Sequence, residues 1–152
     1  MEYTNEELEK RLHDIFEKNV DAQKGYDNAA ENAESYDLGF FFQNKSKERE
    51  SFNKELLKEI RVHYGEPDKS GSATGVMHRA WMDIKSFFSG NNDESMLEEC
   101  IRGDTAAAKE YEEILENEDL PMTIATIIRD QNMRIQADLN KIKSLEDLEK
   151  VE

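Results

Sequence analysis

The chain has 152 residues, a net charge of −15 and 36% charged against 37% hydrophobic residues. That length sets one domain, and the acidity excludes sequence-independent binding to nucleic acid or an anionic membrane, both of which need basic surface. Cys100 is the single cysteine, which rules out an intramolecular disulfide and a cysteine-rich metal site.

Thr4-Asn5-Glu6-Glu7 fits a capping box, with Thr4 as N-cap and Glu7 three residues on. Leu8, Leu12, Ile15, Phe16, Gln23, Tyr26, Ala30 and Ala33 then keep helical spacing to about residue 33. A break over residues 34–37 is long enough only for an antiparallel hairpin. The second helix carries Leu38, Phe41, Phe42, Lys45, Glu48, Phe52, Leu56, Ile60 and Tyr64, and stops at Gly65 with Pro67 beyond. Residues 65–75 form the clearest loop, followed by a short amphipathic segment over 76–88 with Met77, Trp81, Ile84 and Phe88 on one side. The third helix is expected over residues 93–117, with Leu97, Cys100, Ile101, Asp104, Ala108, Tyr111 and Leu115 inward. Pro121 suits the first turn of a fourth helix whose stripe runs Ile124, Ile127, Ile128, Gln131, Ile135, Asp138, Leu139, Ile142 and Leu145.

These elements predict an all-α, ferritin-like four-helix bundle over residues 1–145, with an acidic, frayed tail at 146–152. The second helix spans roughly 40 Å at 1.5 Å per residue. The connection over residues 65–92 can traverse that length, using a short fifth helix and two extended pieces. Helices 2 and 3 are then expected to run parallel, joined by one long crossover. Two short motifs echo each other, Lys24-Gly25-x-x-x-Ala29-Ala30 and Arg102-Gly103-x-x-x-Ala107-Ala108. Both place small residues where helices could approach closely, as duplication of a helical hairpin or chance would produce.

The crossover carries His78-Arg79-Ala80-Trp81-Met82-Asp83-Ile84-Lys85, and the first helix carries Asp-x-x-x-Gly-Tyr from Asp21 to Tyr26. These motifs give the chain a resemblance to an uncharacterised bacterial family of ferritin-like four-helix-bundle proteins. It continues in Glu-Arg-x-x-Phe from Glu48 to Phe52 and Leu-Glu-Glu-Cys-x-Arg-Gly from Leu97 to Gly103, and covers residues 8–145. It implies the fold and no assigned reaction. Two positions depart from the family pattern: Asp104 stands where Glu is common, and Leu139 where His is common. If the family uses those positions for metal, this chain has shortened one ligand and lost another.

No Glu-x-x-His pair occurs, since Lys10, Ile60 and Gly75 precede His13, His63 and His78 by three. The simplest di-iron reading is therefore gone. Gln23, Glu48, Asp104 and Gln131 interrupt the apolar stripes once per helix. Four oxygen-bearing side chains at one level could hold Fe or another divalent metal. The alternative is a structural polar network in which Lys45, Arg49, Arg134 or an amide neutralises the buried carboxylates. Two of the four positions are amides, which favours the network. His78 and Trp81 share a helix face as candidates for an interaction site, against a packing role for Trp81. Cys100 reads as a small core residue. The Ser-rich stretch at 70–75 lacks the Lys-Ser/Thr ending of a phosphate-binding loop.

The expectation is a non-catalytic cytoplasmic protein without a cofactor, a structural or interaction module that forms a homo-oligomer or meets an unknown protein partner. Phe40–Phe42 and Phe87/Phe88 hold more apolar surface than one inward stripe can hide. A degenerate metal-binding or oxidative-stress protein is the alternative.

Overall fold

The computed structural model describes residues 4–65, 92–144 and 147. Four helices account for most of them: α1 (Asn5–Asn32), α2 (Tyr36–Tyr64), α3 (Asp93–Leu115) and α4 (Met122–Lys141). No strand occurs among the described residues. The crossover calls, including the fifth helix, His78, Trp81 and Phe87/Phe88, fall on residues 66–91, outside the described residues, as does most of the tail.

Side-chain caps explain the starts of α1, α2 and α3. Thr4 Oγ1 accepts from Glu7 N at 3.2 Å, as its place before α1 predicts. Ser35 caps Leu38 N at 3.3 Å, so α2 begins two residues before the expected Leu38, and Asn92 caps Ser95 N at 2.8 Å. At its far end α2 stops at Gly65, whose φ of +82° suits a residue without Cβ.

Three further boundaries differ from expectation. Helix α3 ends at Leu115, because Asn117 turns back and its Nδ2 donates to the Glu113 and Ile114 carbonyls. Pro121 is the N-cap of α4, in extended conformation, and lies outside the first turn. Helix α4 stops at Lys141 short of Leu145, and Asp147 accepts from the backbone N–H groups of Lys143 and Ser144 at 2.7 and 3.1 Å. Those donors would otherwise continue the helix ladder, and a nearby carboxylate competes for them.

Helix α1 packs chiefly on α2, and α3 on α4; thinner seams join α2 to α4 and α1 to α3. Asp93, at the start of α3, accepts from Glu34 N and Ser35 N at 2.8 Å each, which fixes it beside the α1–α2 turn. At the other end His63 meets Thr123 at 2.8 Å. Helices α2 and α3 therefore run in the same direction, and Gly65 and Asn92 lie at opposite ends of the bundle.

Two apolar clusters fill the interior. One, towards the start of α1, includes Leu8, Leu12, Phe52, Leu56, Ile60, Ile114, Ile124 and Ile128. The other surrounds Tyr26, Leu38, Phe42, Met96, Leu97 and Cys100 near the α1–α2 turn. Between them lies a polar belt.

Candidate functional site

The belt is built from the mid-helix positions that break the apolar stripes. Asp104, 3% exposed, is its hub. Tyr26 Oη donates to Asp104 Oδ1 at 2.6 Å, and Arg49 Nη2 donates to the same oxygen at 2.6 Å. Lys45 Nζ donates to Oδ2 and also to Asp138 at 3.0 Å. One carboxylate from α3 thus joins a phenol from α1 and two cations from α2. The helical spacing of Lys45 and Arg49, four apart, puts both on the face that meets Asp104.

A second chain of hydrogen bonds leaves Arg49. Its Nη1 donates to Asn19 Oδ1 at 2.6 Å, Asn19 Nδ2 donates to Tyr111 Oη at 2.8 Å, and Tyr111 Oη donates to Gln131 Oε1 at 2.8 Å. Gln131 Nε2 closes the path on the Phe52 carbonyl at 3.3 Å. All four helices contribute.

The electrostatics follow from this geometry. Burial works against ionising Asp104, but Arg49 and Lys45 override it and hold the carboxyl below its usual range. Burial would also lower Lys45 and Arg49, and Asp104 raises both instead. Burial and the Asp104 carboxylate hold the Tyr26 phenol well above its ordinary range. Cys100 is pushed up to about 12, mainly by burial, so its thiol stays protonated at neutral pH.

The four positions read as possible metal ligands have separate surroundings. Asp104 and Gln131 belong to the belt but join only through Arg49, Asn19 and Tyr111. Gln23 is half-buried and accepts from Asn53 Nδ2 at 3.3 Å. Glu48 is half-buried beside Asp138 in a groove between α2 and α4, and its Oε1 is enclosed without a partner. Burial raises its pKa, with Lys45 opposing and Asp138 adding to the rise. Among the described residues no group of three or more His, Cys, Asp or Glu is placed to share a metal ion. Arg134 turns outward and pairs with Asp130 at 3.4 Å, leaving Lys45 and Arg49 as the neutralising cations.

Asn19 and Asp21 are buried polar residues that the stripe assignment passes over. Asn19 follows Ile15 by four and precedes Tyr26 by seven, so the spacing itself places it inward. Asp21 breaks the pattern: it is fully buried and neither carboxylate oxygen has a partner. Burial raises its pKa to about 6, against the pull of Lys24. His13 and His63 follow Glu9 and Glu59 by four. His63 approaches Glu59 at 3.7 Å, whereas His13 Nε2 is buried without a partner.

No helix among the described residues is long and apolar enough to cross a membrane. No curated protein and no solved structure matches the chain. The family described as a domain of unknown function, DUF2383, matches residues 7–117, which hold α1, α2 and α3 with the hub of the belt. The chain therefore belongs to the DUF2383 family.

Proposed function

We propose that this chain is a ferritin-like bundle acting as a non-catalytic cytoplasmic interaction module, and that it associates with a second copy of itself. The observation that carries this reading is the state of Asp104. The more deeply buried of the two candidate carboxylates already has two cations and a phenol on its two oxygens. A divalent ion there would have to displace or repel Lys45 and Arg49. The parallel course of α2 and α3 supports the ferritin-like topology, in which one long crossover joins them.

The surface supports association through the start of α2. Of the run at residues 40–42, Phe42 is buried, Phe41 is partly buried and Phe40 is 55% exposed. Tyr36, one turn earlier, is 85% exposed. Copies each carrying −15 repel one another, so association should strengthen as salt screens that charge. Light scattering across protein and salt concentration tests this. A dimer that weakens in Tyr36→Ser/Phe40→Ser is expected, and a strict monomer at high concentration and high salt removes the self-association claim.

The partnerless Glu48 oxygen beside Asp138 supports a second reading, a degenerate metal-binding or oxidative-stress protein. Anaerobic titration with Fe(II), Mn(II) and Zn(II) separates the two. Stoichiometric binding lost in Glu48→Ala would favour the metal reading; no binding would leave the module.

A further inference from the structure

Helix α1 meets α3 along a thinner seam than the one it shares with α2. Two ion pairs tie the helices across it, Arg11–Glu113 at 3.5 Å and Lys18–Glu110. Beyond them, towards the α1–α2 turn, the seam opens into a cavity of about 340 Å³. That volume lies at the lower end of the roughly 300–1,000 Å³ typical of small-molecule pockets.

The walls are mainly apolar, with Ile15 and Ala22 from α1 and Ala106 and Ala107 from α3. Gly103 also lines the cavity, and it and Ala106 are exposed at the mouth. Glycine inside a helix is unfavourable relative to alanine, and a Cβ built at Gly103 meets nothing within 4 Å. Packing within the chain therefore does not require this glycine. A larger side chain at either position would cover the cavity; the short ones leave it open.

Charge and hydrogen bonding select the class of ligand. Each charged lining residue is paired within the chain: Lys18 with Glu110, Arg102 with Glu99 and Arg49 with Asp104. Asn19, Tyr26 and Tyr111 are engaged in the belt. Arg49 Nε lacks an acceptor but is enclosed, so it selects nothing. A charged ligand would shed its water here and find every counter-group engaged, which is costly. An uncharged apolar molecule gains from burial alone, and apolar cavities take up such molecules.

We propose that the α1–α3 cavity binds a small neutral apolar molecule, seated against Ile15, Ala22, Ala106 and Ala107 beneath the mouth at Gly103. Three probes that share a ring system and differ in charge test this: 2-methylnaphthalene, 2-naphthoate and 2-naphthylmethylammonium. Each is titrated into the nitrogen-15-labelled full chain and followed by NMR. Saturable shifts of the Ala22, Gly103, Ala106 and Ala107 amides are expected with 2-methylnaphthalene, and both ions should bind at least about tenfold more weakly. Gly103→Leu should abolish those shifts while the urea midpoint stays unchanged or rises, because the new side chain enters open space. Binding that survives in folded Gly103→Leu would place the ligand elsewhere. Either ion binding as tightly as the hydrocarbon would overturn the selection of a neutral molecule. Shifts of the same amides on concentrating the protein alone would make a second copy the occupant, and no saturable shift would remove the site.

Discussion

The apolar cluster around Leu12 and Ile124 and the polar belt around Asp104 occupy neighbouring levels of the same four helices, yet they respond to damage by different rules. In the cluster every side chain gains from the same non-directional burial, so loss scales with the volume removed. In the belt each group is tolerable only because its neighbour satisfies it, so loss is set by what is left behind. The cluster provides bulk stability. The belt links the facing sides of α1, α2, α3 and α4.

The sharpest contrast uses changes that barely alter volume. Asp104→Asn should cost about 3–5 kcal/mol in urea unfolding at pH 7, because Arg49 remains buried without its counter-ion and Lys45 keeps only the part-exposed Asp138. Ile124→Val, in the apolar cluster, should cost only about 1 kcal/mol. Equal costs would erase the distinction. Next in size is Tyr111→Phe, which strands Asn19 and Gln131 and should cost about 1–3 kcal/mol.

The smallest effect has the opposite sign. Asp21 is as buried as Asp104 but has no cation on its oxygens. Its pKa rises from 3.8 to about 6, so the folded state holds the proton more tightly than the unfolded chain. Stability is therefore lost as pH rises between those values and stays lower above them. Asp21→Asn should stabilise by about 1–2 kcal/mol at pH 7–8, allowing for screening, and by nothing near pH 4. Asp104 behaves in reverse. Its folded pKa is depressed, so its contribution is present above the unfolded value and disappears as pH falls through the folded one. Unfolding curves of the two variants from pH 3 to 8 should diverge from wild type in opposite directions.

Much of this arrangement is legible in the chain. The Thr4 cap, the hairpin at residues 33–35 and the stop at Gly65 follow from local rules, and the span from Gly65 to Asn92 is long enough for parallel α2 and α3. Lys45 and Arg49 are recognisable as neutralisers of Asp104. Which side chains meet Asp104 was not legible, because it depends on helix phase, where one residue turns a side chain by about 100°. Asp21 was hidden for a different reason: nothing in its sequence neighbourhood marks an aspartate for burial without a partner. The end of α4 was obscured because apolar spacing continues to Leu145, while Asp147 takes the backbone donors from beyond it.

The central claim is that Asp104 and its cations form one interdependent unit. A double-mutant cycle with Asp104→Leu and Arg49→Met, followed by urea unfolding at pH 7, tests it most directly. The account predicts that each single change destabilises by about 3–5 kcal/mol and that the pair together costs at least about 2 kcal/mol less than their sum. Strict additivity would contradict it, and would mean that Arg49 and Asp104 contribute to the bundle independently.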